Sequence, residues 1–359
     1  MYVFDLSADA SNNIYVGGAL DGVADFDLGS GVSENALTNG YDAYVVKYNA
    51  DFELQWFHVF GDSNNPVGWD KVRGITLDSN GHLYVAGEFT WTTDFNPANA
   101  GNFVLTSASN SQVPSGFILK MSSDGQVTWV KKIGNTNDGV AQNYANVSIT
   151  DIHFQNNSLF VGLEGEGYWD LDPSANSSVL NVGAIASPGI GFGKYSLDGD
   201  YEAGFSIDTA LAGAGITSAG FGMLGNNTLA TSGKFSKTID FNPLSSTLVL
   251  QTDPNGPFAS FDNDLYIAKY SFDGSVGIGQ SEEFEQVKIY PNPVVEQVYV
   301  NTPESSKIKA LELFDAQGKK VSSAGKDKYE LNMEPLPQGM YWLSIWFENG
   351  QQVSQKVVK

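Results

Sequence analysis

Between Leu83 and Gly134 the chain reads Leu83-Tyr-Val-Ala-Gly-Glu-Phe89, Asp94-Phe-Asn-Pro97, Phe117-Ile-Leu-Lys-Met121, Asp124-Gly125 and Trp129-Val-Lys-Lys-Ile-Gly134, in that order. Each landmark has counterparts on either side. Ile14-Tyr-Val-Gly-Gly18, Leu159-Phe-Val-Gly162 and, more loosely, Leu229-Ala-Thr-Ser-Gly233 echo the first. Asp25-Phe-Asp27, Asp170-Leu-Asp-Pro173 and Asp240-Phe-Asn-Pro243 echo the second. Tyr44-Val-Val-Lys-Tyr48, Gly191-Phe-Gly-Lys-Tyr195 and Tyr266-Ile-Ala-Lys-Tyr270 echo the third. Tyr15, Tyr84, Phe160 and Leu229 are spaced by 69, 76 and 69 residues, and Lys47, Lys120, Lys194 and Lys269 by 73, 74 and 75. Trp56 and Trp129 each follow their lysine by nine residues. Signals in constant order at near-constant spacing mean four copies of one unit.

Within a copy, short runs alternate apolar and polar residues and are cut by Asn-Asn, Asn-Gly or Asp-Gly pairs, as in Gly74-Ile-Thr-Leu-Asp-Ser-Asn-Gly-His-Leu-Tyr-Val-Ala86. That is the hairpin signature, and no window carries a helical period. Each copy supplies about four strands, the content of one propeller blade, whereas solenoid repeats fit this period poorly. The pattern resembles the bacterial β-propeller repeats that run YVxGxF, DFDPG or DFNP, a strand ending in Lys and an apolar residue, Asp-Gly, then Trp. It covers residues 1–278 as units of about 1–61, 66–134, 145–207 and 215–278. The third and fourth copies lack the Trp, with Ala203 and Ile278 at the matching offset. The resemblance implies a scaffold and not an activity. Met1-Tyr-Val-Phe-Asp5 reads as strand and carries no signal peptide, and the last copy runs into a linker where its Trp-bearing strand belongs. The expectation is a longer propeller, truncated at its N-terminus with loss of the signal peptide; a closed four-bladed ring is the alternative.

The length of 359 residues suits about two domains. Acidic residues outnumber basic ones 41 to 19, a net charge of −22. Residues 287–359 hold nine lysines and eight carboxylates, so the segment before them carries −23. The break falls in a Gly-, Ser- and Glu-rich stretch, giving a linker at 279–286. Such acidity offers no basic footprint for nucleic acid or anionic membrane. The absence of cysteine excludes zinc ribbons, thiol nucleophiles and disulfide frameworks. The most apolar run, Leu211 to Leu224, is short and glycine-interrupted, so no transmembrane segment is predicted.

In residues 287–359, alternating strands are predicted at Gln297–Asn301, Ala310–Asp315, Tyr329–Met333, Gly339–Trp346 and Val353–Val358, a small immunoglobulin-like β-sandwich. The segment closely resembles the C-terminal sorting domain of the type IX secretion system (type A, Por secretion system). The likeness rests on Tyr290-Pro-Asn-Pro293, Leu313-Phe-Asp-Ala-Gln-Gly-Lys-Lys-Val321, Leu336-Pro-Gln-Gly-Met-Tyr-Trp-Leu343 and Gln355-Lys-Val-Val-Lys359. The sorting-signal residues carried over are Tyr290, Pro291, Asn292, Pro293, Gly318, Gly339, Tyr341, Lys356, Val357, Val358 and Lys359. The resemblance implies folding in the periplasm, recognition by the outer-membrane translocon, and removal by sortase-like machinery as the cargo is anchored at the surface or released. Proline rigidity at a strand entrance is a sufficient physical role for Pro-Asn-Pro.

Catalytic constellations are absent from the sequence. His58, His82 and His153 stand alone, without metal-ligand spacing, and there is no GxSxG elbow or P-loop. The recurring polar cluster is the acidic turn: Asp25/Asp27, Asp94/Asn96, Asp170/Asp172 and Asp240/Asn242. Two oxygen-bearing side chains two residues apart can begin a calcium loop, but Asn-Pro and Asp-Pro form turns unaided, and turn chemistry is the simpler account. Glu164 and Glu166 replace apolar residues of their repeat and read as a degenerate loop rather than a glycosidase pair. Trp69, Trp91, Trp169 and Tyr168 suit aromatic cores between blades better than a sugar platform. The expectation is a surface-exposed, non-catalytic propeller that binds glycan or protein without a cofactor. The competing expectation is an extracellular hydrolase.

Overall fold

The computed structural model describes residues 1–34, 40–61, 68–96, 103–107, 113–134, 146–174, 176, 178–182, 187–207, 214–225, 227–243, 248–252, 263–272, 276–277, 288–302, 307–315, 319–348 and 352–359. The chain forms two compact units, Met1–Ile278 and Gly279–Lys359, and the described residues are all-β, without a helix.

The first unit contains four antiparallel four-stranded sheets, each built from neighbouring strands in chain order. Sheet I comprises Tyr2–Ala8, Ile14–Leu20, Gly40–Tyr48 and Leu54–Phe60, with Gly68–Trp69 added parallel to its third strand. Sheet II comprises Lys71–Leu77, Leu83–Phe89, Ser115–Met121 and Val127–Ile133. Sheet III comprises Asn146–Gln155, Ser158–Glu166, Gly189–Ser196 and Tyr201–Ile207. Sheet IV comprises Gly215–Gly225, Thr228–Ser236, Asn263–Ser271 and the two-residue strand Val276–Gly277. The turns close on side-chain oxygens. Asp9 Oδ1 accepts the N–H groups of Ser11 and Asn13, Asp78 Oδ1 those of Asn80 and His82, and Asn49 Oδ1 those of Asp51 and Glu53. Such Asx turns define where each hairpin reverses.

The repeat lysine sets the register. Lys47 lies between Tyr15 and Trp56, Lys120 between Tyr84 and Trp129, and Lys194 between Phe160 and Ala203. Lys269 lies between Ala230 and Gly277. The fourth copy therefore aligns through Ala230 rather than Leu229, and Gly277 rather than Ile278 takes the Trp place. A one-residue shift reverses the face, and Leu229 is accordingly buried on the side opposite the one Tyr15 occupies.

Each sheet has a back face, carrying the lysine row, and a front face. The back of sheet I (Tyr15, Ala43, Val45) packs on the front of sheet II (Val72, Ile75, Val85). The back of sheet II (Tyr84, Ala86, Ile118) meets Ile149, Ile152 and Val161 of sheet III. The back of sheet III (Phe160, Ile190, Phe192) meets Ile216 and Phe221 of sheet IV. Burying each such side chain contributes about 1.5–3 kcal/mol, which makes these layers the core. Polar staples cross the same interfaces. Lys47 Nζ donates to the Ser123 carbonyl at 2.8 Å and Lys120 Nζ to that of Leu197 at 3.0 Å. Trp56 lies on Gly125 and Trp129 on Gly199 of the next sheet, so the Asp-Gly and Trp landmarks are two halves of one contact. The first strands of successive sheets lie beside one another. Among the described residues no strand of sheet IV pairs with one of sheet I, so hydrogen bonding does not close the row.

The second unit is a two-sheet β-sandwich. One sheet holds Lys288–Tyr290, Gln297–Asn301 and Glu330–Asn332; the other holds Lys320–Ala324, Ile308–Phe314, Met340–Phe347 and Gln352–Val358. Alternation in Gln297–Asn301 turns Val298 and Val300 inward against Leu311, Leu313, Leu343 and Ile345. Among the described residues seven strands are present where the sequence pattern marks five; Lys288–Tyr290 and Lys320–Ala324 are too short or too polar to alternate visibly.

Candidate functional site

In the second unit the separate sorting motifs converge. Tyr290 is exposed and stacks on Tyr299 at 5.8 Å, at the entrance to two cis peptide bonds, Tyr290-Pro291 and Asn292-Pro293. Asn292 Oδ1 accepts the Val358 N–H at 2.9 Å, and the Val294 N–H donates to the Val358 carbonyl at 2.7 Å. Gly339 and Lys359 exchange both backbone hydrogen bonds. Lys359 Nζ donates to the carbonyls of Glu334 and Leu336, and the Tyr341 hydroxyl to that of Pro337. Val357 is buried in the sandwich core. Lys356 is placed by its backbone opposite Trp342, and Gly318 lies outside the described residues. Residues 290–294, 334–341 and 357–359 therefore form one continuous patch.

In the first unit the acidic turns work as latches on short hairpins. The Oδ1 of Asp25 accepts the N–H groups of Asp27 and Ser33; that of Asp170 those of Asp172 and Ser178; that of Asp240 those of Asn242 and Leu248. Asp94 Oδ1 accepts the Asn96 N–H. The intervening Phe26, Phe95, Leu171 and Phe241 are buried. Tyr48, Tyr195 and Tyr270, each following a repeat lysine, donate their hydroxyls to the carbonyls of Phe26, Leu171 and Phe241. One oxygen of each turn aspartate, Oδ1, is thus engaged with backbone donors. Asp27 and Asp172 cap Gly29 and Ser174 in the same way.

A second polar cluster gathers where the first and second strands of sheets II to IV meet. Counted from the register, Ala19, Glu88, Glu164 and Lys234 occupy one equivalent place. Buried Glu88 receives Lys71 at 2.6 Å and Arg73 at 3.2 Å. Glu164 lines a cavity of about 370 Å³ together with Arg73, Ser148, Thr150 and Ser218. Burial pushes the Glu164 carboxyl above the usual range, against the lowering effect of the Ser218 N–H and the charges of Arg73 and Lys234. The buried Thr150 hydroxyl has no hydrogen-bond partner among the described residues. Beside this cluster runs an aromatic ladder. Phe4 stacks on Tyr2 at 6.3 Å, Tyr2 meets Tyr41 at 5.7 Å and Tyr41 meets Trp69 at 5.6 Å. Lys71 sits over Trp69 and Arg73 over Phe4. Phe4, Tyr2 and Trp69 are all exposed.

Of the four aromatics weighed from sequence, Trp169 is core, Trp91 half-buried, and Trp69 and Tyr168 exposed. Glu166 caps nothing in the cavity; its N–H donates to Asn146 Oδ1. The histidines have local partners: His82 Nδ1 lies 2.9 Å from Asp78, and His153 Nε2 lies 3.1 Å from Asp151 and 2.7 Å from the Phe221 carbonyl. Burial disfavours the charged form of His153, but Asp151 and the Phe221 carbonyl outweigh it and raise the pKa. Burial also lowers that of His58. Glu88 and Arg73 went unmarked in the sequence because Glu88 stands inside the best-matching repeat; its coincidence with Glu164, four residues past the repeat aromatic, is the signal that identifies both.

Residues 288–359 match the family of secretion system C-terminal sorting domains. This tail directs export by the type IX secretion system to the cell surface or the extracellular space. No curated protein matches the sequence. Among solved structures the chain is similar to PorZ, a surface component of the type IX secretion system of Porphyromonas gingivalis, at 12% identity and a TM-score of 0.30, over 99% of this chain and 44% of PorZ. It is also similar to the extracellular domain of a putative one-component system from B. thetaiotaomicron, at 12% identity and TM-score 0.21, over 99% and 62%. Latent PorU from P. gingivalis matches at 11% identity and TM-score 0.17, over 99% and 32%. The chain thus spans less than half the length of PorZ.

Proposed function

We propose that Met1–Ile278 is an array of β-propeller blades displayed outside the cell by the type IX secretion system, and that it binds glycan through the aromatic ladder and the adjoining polar cavity. Four stacked four-stranded meanders whose first strands adjoin are the arrangement of blades around an axis. The second unit, a seven-stranded sandwich, then serves as an immunoglobulin-like address read by the translocon and its sortase-like processing machinery. The observation that carries the binding reading is the row Phe4, Tyr2, Tyr41, Trp69. Exposed aromatic faces flanked by Arg73 and Lys71 offer stacking to sugar rings, and Ser148, Thr150, Glu164 and Ser218 offer hydroxyl-directed hydrogen bonds nearby.

A glycan array probed with the full chain tests this. Binding that is lost in Trp69→Ala and weakened in Arg73→Ala supports it, and an array without hits, or hits indifferent to Trp69, overturns it. The raised pKa of Glu164 favours a second reading, a hydrolase with Glu164 as proton donor. Turnover of an array-positive glycan that disappears in Glu164→Gln, with binding retained, would select it.

A further inference from the structure

At one place in the first unit charge runs against the trend of the chain. In a segment that carries −23, three cations, Lys71, Arg73 and Lys234, gather about two carboxylates, Glu88 and Glu164. Lys71 and Arg73 both serve a single oxygen of buried Glu88, Oε1. Glu164 Oε2 accepts the Ser218 N–H at 3.2 Å, while Arg73 and the exposed Lys234 act on this carboxylate through their charges. The cluster therefore holds a surplus of positive charge inside a strongly acidic unit.

The scaffold does not need these charges. Ala19 fills the same place in sheet I and is fully buried, so the packing accepts an apolar residue there. Where the copies share a structural duty they share residue types, as at buried Phe26, Phe95, Leu171 and Phe241. At the Glu88 place they read Ala, Glu, Glu and Lys instead, and at the bulge beside it Phe4, Arg73, Thr150 and Ala219. Replacing buried ions by well-packed apolar groups is often neutral or stabilising, so charges that the packing does not require point to a ligand. The cavity of about 370 Å³ opens at this cluster, lined by Arg73, Ser148, Thr150, Glu164 and Ser218. Sheets II, III and IV all contribute to it, and it has room for about one or two sugar rings. Burial without a hydrogen-bond partner among the described residues leaves the Thr150 hydroxyl ready to serve an occupant. Desolvation raises the pKa of Glu164, which weakens its ionised form; the charged groups that face it are Arg73 and Glu88 of sheet II and Lys234 of sheet IV.

We infer that, given the glycan binding proposed above, this cavity takes the anionic substituent of an acidic sugar, the carboxylate of a uronate or the sulfate of a sulfated ring. Arg73 and Lys234 are its counter-ions, and Thr150 donates a hydroxyl hydrogen bond to the same substituent or to a neighbouring ring oxygen. Ser148 and Ser218 line the space left for the ring itself.

Isothermal titration of the full chain with oligogalacturonate, with sulfated oligogalactose and with neutral oligogalactose of matched length tests the assignment. At least one acidic probe binds about tenfold tighter than the neutral one, the return on one charge-assisted hydrogen bond, and added salt weakens the acidic probe selectively. The acidic probe that binds more tightly identifies the anion. Lys234→Glu, at an exposed position, and Arg73→Gln each reduce the preference to about threefold or less, with strand content by circular dichroism unchanged. Glu164→Gln removes a repelling charge and tightens the acidic probe about threefold. Equal binding of acidic and neutral probes, or a preference that both cation variants leave intact, overturns the anion and leaves glycan binding standing. Should none of the three probes bind, the Trp69-dependent hits of the glycan array decide: acidic glycans support the assignment and neutral ones overturn it. An array without hits overturns both the anion and the glycan.

Discussion

Asp170→Ala separates the latch account of the acidic turns from a calcium account. The substitution removes the acceptor shared by the Asp172 and Ser178 N–H groups, at 3.1 and 2.8 Å. Bonds to a charged acceptor each contribute about 1.5–3 kcal/mol when well desolvated, and the half-exposed setting of Asp170 lowers the pair together to about 2 kcal/mol. For a unit of this size that corresponds to a fall of about 4–8 °C in melting temperature. Asp170→Asn keeps an oxygen in the Oδ1 place and recovers more than half of the loss, although it removes the charge. Tyr195→Phe strips the hydroxyl from the buried Leu171 carbonyl, costs about 1–3 kcal/mol, and is less than additive with Asp170→Ala because both hold the same hairpin. Thermal melts of the three variants, each with calcium and with chelator, give the answer. A melt of the wild type that rises with calcium, together with Asn as damaging as Ala, would refute the reasoning.

Gly199 sits at φ +79°, and a Cβ there would lie 3.0 Å from Trp129 Cη2 and from Lys131 Cγ, so Gly199→Ala loses about 2 kcal/mol in urea unfolding; with Trp129→Ala already in place, the same glycine substitution costs less. Burial, with a smaller contribution from nearby Asp42, lifts the Asp70 carboxyl to about 7 against hydrogen bonds from Thr90 and Thr93. The folded state therefore favours the protonated form: stability is full below about 4, the unfolded value, and declines as pH rises through about 7. Asp70→Asn flattens that decline in melts across pH 4–8. In the sorting unit, Asn292→Ala removes the acceptor for the Val358 N–H, and the full chain placed behind a signal peptide in a type IX-competent host accumulates in the periplasm, read by fractionation.

How much of this was legible in the sequence follows the range of the interactions. The fourfold repeat and its hairpins show in the chain because alternation and Asx turns are local; the lysine spacing carries the sheet register through three copies. In the fourth copy Leu229 takes the place of Ile14, Leu83 and Leu159, and Ala230 stands where the repeat aromatic belongs, so the small residue at that place hides the alignment in the sequence. Lys47, Trp56 and Gly125 were visible as landmarks but not as contacts, since Ser123 lies 76 residues from Lys47. Glu164 stood out as an oddity, whereas its meaning depends on Arg73 from sheet II and Ser218 from sheet IV. Motifs in residues 287–359 were readable one at a time; that Asn292 holds Val358, and Gly339 holds Lys359, emerges only from the folded sandwich.

The Lys and Trp staples give the array a grammar. Each sheet ends in a word that any following sheet with the same turn can answer: Lys47 and Trp56 meet Ser123 and Gly125, and Leu197 and Gly199 offer the next sheet's version of that turn. Excision of a whole unit by unequal recombination therefore leaves two compatible neighbours rather than a torn core, and duplication inserts one. A single genetic step can thus change the number of sheets in the row without touching the sorting unit that follows it.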